Sequence, residues 1–209
     1  MLAISFVFSI AVLIFSVIIH EVFHGAVASY LGDQTAKNSG RLTLNPLKHI
    51  DPIGTIILPI FLILTTGKGI GWAKPVPINP YNFRDQKYGF LKVAIAGPAS
   101  NLLIALLFGL LMRFAMSLNF LSPAFYQAVS FIVFINILLA IFNLMPIPPL
   151  DGSHILFTFL PRSMKGAEIF LSRYGFFILI FLFFFFSPFG RFLEYIVNFI
   201  FTLIVGGGV

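Results

Sequence analysis

The sequence predicts an all-α, polytopic membrane protein, and three observations carry that prediction. Of 209 residues, 59% are hydrophobic and only 10% are charged, with a mean hydropathy of +1.01. A soluble chain of this length has no interior large enough for that much apolar surface. The apolar residues fall in long runs separated by short polar connections, and a run that enters hydrocarbon satisfies its backbone N–H and C=O groups internally as a helix. Third, most of the charge behind the net +6 lies in those connections. That pattern reads as orientation in the bilayer and contact with anionic lipid, and it argues against a nucleic-acid role. Cysteine is absent, which excludes disulfides and thiolate-ligated metals and leaves the compartment open.

The elements follow in order. A run from about Leu2 to Leu31 is interrupted only by His20, Glu21, His24 and a few small polar residues. As a helix rising ~1.5 Å per residue it is roughly 44 Å long, more than the ~30 Å hydrocarbon core, so it tilts or protrudes. No basic residue precedes it and it carries no small-residue cleavage site, so it is expected to be retained rather than removed as a signal peptide. Gly32-Asp33 ends it, and a polar connection with Lys37, Arg41 and Lys48 follows. Ile53 to Leu64 is apolar but only about a dozen residues long, with Pro59 in its middle, which fits a re-entrant or interfacial segment better than a span. Residues 67–88, which include G-W-A-K-P-V-P-I-N-P-Y-N-F, are polar and rich in Gly, Pro and aromatics. Helical patterns then run from Gly89 to about Met116 and from about Phe125 to Met145. The chain breaks at P-I-P-P-L-D-G, stays apolar to Leu160, and passes Arg162, Lys165 and Arg173 into a Phe-rich segment, Tyr174 to Phe186. The last apolar segment, Phe192 to Val205, either spans or lies at the interface.

Charge placement tests the re-entrant reading. Eight of the 13 basic residues (Lys37, Arg41, Lys48, Lys68, Lys74, Arg84, Lys87, Lys92) flank the short apolar segment on its two sides. If that segment crosses, three face one side and five the other. If it turns back, all eight share a side, and Arg162, Lys165 and Arg173 join them after two further spans. Eleven of 13 then face one way, which makes that face cytoplasmic by the positive-inside rule.

The chemistry is concentrated in the first run. On a helix, His20 and His24 project from one face, one turn apart. Two imidazoles at that spacing can converge on Zn²⁺ at ~2.0–2.1 Å with Glu21 beside the metal. Each polar side chain in hydrocarbon costs several kcal/mol unless it is paired, and a metal pairs the group together. A lone histidine here would read as a bond between helices. The chain holds just four His and three Glu, however, and three of these seven fall within five positions. A catalytic zinc needs a third ligand and an open position. Outside the motif the candidates are Asp33, Asp51, Asp85, Asp151, Glu168, Glu194, His49 and His154. Asp151 alone follows directly on an apolar span, where Pro146, Pro148 and Pro149 forbid a regular helix. Irregular backbone at membrane depth is tolerated only where it faces protein or a water-filled cavity.

These motifs resemble the site-2 protease family, the intramembrane zinc metalloproteases. H-E-V-F-H (His20 to His24) is similar to the family's zinc motif, and N-L-M-P-I-P-P-L-D-G (Asn143 to Gly152) to its distal Asn-Pro-Leu-Asp-Gly motif. A-G-P-A-S-N (Ala96 to Asn101) is similar to the Gly-Pro-x-x-Asn that opens its middle core helix. Two further stretches, R-L-T-L-N-P-L-K-H-I-D-P-I-G-T and G-W-A-K-P-V-P-I-N-P-Y-N-F-R, resemble the compact prokaryotic branch without PDZ or CBS domains. The resemblance implies a single domain over 1–209, with a three-helix catalytic core in about 2–160 and two hydrophobic helices in about 169–205. It also implies a plasma-membrane enzyme, its active site toward the cytoplasm, that cleaves single-span membrane proteins. His20, His24 and Asp151 would hold zinc, Glu21 would act as general base, and the Asn143 amide would polarise the scissile carbonyl. Asn143 as a plain bond between helices stays open, as does His154 as a partner of a metal ligand or a polar neighbour. Asn101 is assigned to core bonding, Gly97-Pro98 to helix entry, and His49 and Asp51 to interfacial loops. The substrate, once unwound, would need an edge strand, and the stretch between Leu42 and Phe83 is where one is expected. Two other readings remain: an H-E-x-x-H enzyme with Glu168 or Glu194 as third ligand, and a non-proteolytic zinc transporter or chaperone.

Overall fold

A computed structural model describes residues 2–66, 71–117 and 122–206, and among these no strand forms. Among the described residues, five helical stretches are long and apolar enough to cross a membrane: Phe6–Tyr30, Gly89–Ala115, Pro123–Asn143, Arg162–Phe185 and Ser187–Val205. The protein is therefore a multi-pass membrane protein. It divides into two compact units, Met1–Gly89 and Phe90–Val209.

The first unit is built on helix α1, Leu2–Tyr30, which has no proline to break it. Gly32 stops it by taking φ +115, a conformation that side chains disfavour, and a Cβ there would sit 2.8 Å from the Asn82 carbonyl oxygen. The freed carbonyls of the last turn are taken by Leu31 N–H (to Val27) and Asp33 N–H (to Ala28). Asp33 then ties a distant stretch to this end of the helix. Its side chain is fully buried and accepts from Asn79 N at 2.7 Å, Asn82 Nδ2 at 2.8 Å, Thr35 N at 3.1 Å and the Thr35 hydroxyl. Burial pushes the Asp33 carboxyl up, but these donors outweigh it and hold the group below its ordinary 3.8. A depressed folded value means that the carboxylate's stabilisation is complete above ~3.8 and is lost as the pH falls through the folded value. We expect hydrogen exchange at the Asn79 amide, corrected for its intrinsic rate, to be flat from neutrality to about pH 5 and to accelerate below about pH 3.8. In Asp33→Asn that acceleration should disappear.

Pro52–Ile57 forms a π-helical turn that leads into α2, Leu58–Thr66. Asp51 caps the turn by accepting from Ile53 N at 2.9 Å and Gly54 N at 3.0 Å. The Gly54 N–H foremost holds its carboxyl below the usual carboxylate range, against the opposing effect of desolvation. After α2 the chain comes back to where it left. Trp72 N donates to Gly54 O at 3.0 Å, the Thr55 hydroxyl donates to Trp72 O at 2.8 Å, and the indole covers Gly54 so closely that a Cβ would lie 2.2 Å from it.

The edge strand expected between Leu42 and Phe83 is corrected: the described residues of that stretch, 42–66 and 71–83, form none. Prolines at 75, 77 and 80 remove the N–H groups a ladder needs. Several of the remaining polar backbone groups bond to the side chains of Arg41, Glu21 and Asp33, and others to backbone outside any ladder, as Lys74 N does to His49 O.

In the second unit α3 runs Gly89–Ser117, α4 Pro123–Asn143, α5 Asp151–Phe159, α6 Lys165–Phe185 and α7 Ser187–Val205. Ser122 caps α4, its hydroxyl accepting from Phe125 N at 3.2 Å, with Pro123 at the first helical position. Two boundaries differ from expectation. Gly97-Pro98 lies inside α3 rather than at its entry, because the helix propagates from Gly89 and tolerates the one lost N–H. α6 begins at Lys165, nine residues before Tyr174, and its first turn carries a Lys165–Glu168 ion pair at 2.6 Å. The unit's core is Ala105, Met112, Val129, Val133, Ile137, Val197 and Val205. Gly109 admits Ile204 at a distance that a Cβ would not permit. Asn101 and Asn136 are fully buried and bond to each other, Asn101 Nδ2 donating to Asn136 Oδ1 at 2.9 Å. This agrees with core bonding for Asn101.

Candidate active site

His20, Glu21 and His24 lie on α1, where four-residue spacing stacks the two imidazoles. Both are buried. Their Nε2 atoms are 3.0 Å apart and the rings meet edge to face, centroids 4.6 Å apart at 83°. Two nitrogens each ~2.0–2.1 Å from one tetrahedral ion are separated by roughly 3.3–3.4 Å, so this pair needs almost no rearrangement to hold zinc. Glu21 is half-buried, and its Oε2 accepts from the backbone N of Val76 at 2.8 Å. Gly25, directly after His24, is what lets that stretch come close. A Cβ there would lie 2.6 Å from Leu42 Cδ2 and 2.9 Å from Val76 Cγ1.

Asp151 begins α5, after the broken stretch 144–150. Gly152 beside it has no room for a side chain. A Cβ would lie 2.1 Å from the Leu144 carbonyl oxygen and 2.5 Å from that of Met145, so the D-G pair packs against the end of α4. Gly175 of α6 likewise abuts the Pro148 carbonyl. With Asp151, the two rings of α1 make up the donor types that a zinc site uses. A donor set of two imidazoles and one carboxylate suits zinc and leaves a coordination position open.

Most of the other acidic and histidine candidates have structural work. Asp33 and Asp51 are held as described, and Asp85 accepts from Lys87 N and Tyr88 N in the turn that precedes α3. Glu168 pairs with Lys165 at the surface, and Glu194 is exposed. His49 is buried with Nε2 2.9 Å from Thr43 O. His154 stacks edge to face on Phe90, centroids 4.5 Å apart. Asn143 Nδ2 donates to Leu139 O one turn back at 2.9 Å, which uses one of its two N–H groups. Sequence reasoning missed Val76, Arg41 and Asn136. Of these, only Val76 left a local trace: in K-P-V-P its N–H is the sole donor between two prolines.

The model of "Peptidase family M50" matches residues 118–182. The chain is 39% identical over 185 residues to YwhC of Bacillus subtilis, named as a zinc metalloprotease, covering 86% of this chain and 80% of that one. Two proteins named Rip2, also as zinc metalloproteases, are similar as well. The one from Mycolicibacterium smegmatis is 32% identical over 84% of this chain and 66% of its own length. The one from Mycobacterium tuberculosis H37Rv is 31% identical over 70% and 55%. No solved structure matches the chain.

Proposed function

Because this chain belongs to peptidase family M50, the intramembrane zinc metalloproteases of the site-2 protease type, we propose that it hydrolyses peptide bonds within or near the transmembrane segments of single-span membrane proteins. The observation that carries the reading is the buried His20–His24 pair, its nitrogens converged at 3.0 Å inside an apolar helix with the Glu21 carboxylate adjacent. Polar rings within an apolar helix need partners, and one metal held by both nitrogens serves the two together.

His20 Nε2, His24 Nε2 and one Asp151 carboxylate oxygen would hold the metal. When bound, zinc supplies Lewis acidity that makes a water acidic enough to lose a proton near neutral pH. Glu21 accepts that proton as the water attacks the scissile carbonyl, then passes it to the departing amine, so the carboxylate is regenerated each turnover. The second N–H of Asn143 would donate to the developing oxyanion while Leu139 O orients the amide. His154 then acts as a polar neighbour stacked on Phe90. We assign α1, α3 and the α4–α5 stretch to a three-helix catalytic core.

The segment between Gly54 and Trp72 would be re-entrant, because its two ends are hydrogen-bonded to each other. Entry and exit then share a side, as the distribution of basic residues requires, and that side is the cytoplasmic one.

The test is cleavage of a panel of single-span substrates in vesicles. A zinc chelator should abolish cleavage and added zinc should restore it, whereas cleavage that persists in a chelated, zinc-free preparation would end the reading.

A further inference from the structure

We infer that the backbone N–H of Val76 is a positioning group that fixes the Glu21 carboxylate, and that Arg41 is the positioning residue that holds Val76 in place. The inference rests on Glu21 serving as the base proposed above.

The stretch Lys74 to Ile78, K-P-V-P-I, is stiff by composition. Pro75 and Pro77 lock φ near −65° and have no N–H, so between them only Val76 can donate. The chain is clamped just before that donor. Arg41 Nη2 donates to Lys74 O at 2.6 Å and to Pro75 O at 3.3 Å, and Lys74 N donates to His49 O at 2.9 Å. It is clamped again just after, where Asn79 N reaches Asp33 at 2.7 Å. The Val76 side chain is 5% exposed and presses against the bare face of Gly25. Arg41 and His49 are themselves buried, which makes the clamp costly to build for a loop with no task.

What the clamped N–H meets is Oε2 of Glu21, 55 residues earlier and one position from a zinc-binding histidine. A glutamate has three rotatable bonds, and a proton acceptor that wanders by an ångström loses rate. The Val76 bond fixes Oε2 and leaves Oε1 for the water. A sheet edge would offer several donors at once, whereas this proline-flanked stretch offers one, and it is aimed at the base.

The experiment compares Val76→Pro with Val76→Ala in the full chain. Proline deletes the N–H and keeps the backbone extended, while alanine keeps the N–H and trims the side chain. Val76→Pro should retain zinc and KM and lose about 10- to 100-fold in kcat, with Val76→Ala much closer to wild type. Equal losses in the two, or full activity in Val76→Pro, would overturn the inference. Hydrogen exchange gives a readout independent of turnover and of how well Val76→Pro folds. The Val76 amide should exchange slowly in the wild-type protein and faster in both Glu21→Ala and Arg41→Gln; an amide already fast in the wild type, or unmoved by these changes, rejects the assignment. The two readings fail separately: an active Glu21→Gln removes the base itself, whereas an inactive Glu21→Gln beside a fully active Val76→Pro removes only the positioning role.

Discussion

Glu21→Gln is expected to keep its zinc and lose about 10²–10⁴-fold in cleavage rate. The substitution is nearly isosteric, and the amide oxygen can still accept from Val76 N–H, so the geometry of the 2.8 Å contact survives. What is lost is basicity: a carboxamide cannot take the proton from the attacking water. Because His20 and His24 are untouched and converge at 3.0 Å without help from Glu21, metal content should stay at the wild-type level. Zinc measured on purified protein and cleavage of a helical substrate, taken on the same preparation, decide it. Undiminished turnover would reject Glu21 as the base. Lost zinc would mean that the carboxylate supports the ligands instead.

Asp151→Ala is expected to have an effect as large, by a different route. If Asp151 is the third ligand, two imidazoles alone leave the site without an anionic donor, so zinc should fall well below about one per chain and cleavage should fall with it. Asp151 also begins α5, and an acid in the first turn stabilises a helix in its own right. Asp151→Asn separates the roles: it preserves a side chain suited to a helix start and removes the charge that favours the metal. If Asn keeps stoichiometric zinc, Asp151 belongs to the helix and the third ligand lies elsewhere. The bonds already made by Asp33, Asp51 and Asp85, and the surface position of Glu168, leave few replacements.

Much of this was legible in the sequence because it is local. Four-residue spacing on a helix puts His20 above His24 whatever the rest of the chain does, and three prolines within four positions break the helix before Asp151 wherever it sits. The long apolar helices could be read for the same reason, that in lipid a chain must bond to itself, but Phe192 to Val205 alone did not decide between a span and an interfacial helix, and the structure starts that helix at Ser187. Neither property says which face of a helix turns inward, since a helix that is apolar all round carries no stripe. The burial of Asn136 against Asn101 was therefore invisible.

Tertiary structure alone decided the pairings between distant residues. Gly54 with Trp72, Asp33 with Asn79 and Glu21 with Val76 are separated by 18, 46 and 55 residues, and no local periodicity encodes them. It also overrode two local signals. The described part of the β-prone stretch formed no strand, because its prolines spoil a ladder and the side chains of Glu21 and Asp33 took the Val76 and Asn79 donors. Pro98 did not start a helix, because α3 was already propagating when it reached it. Sequence sets what each short segment can do. Which of those options is taken depends on the neighbour that packing brings, and small residues such as Gly25 and Gly152 decide how near that neighbour comes.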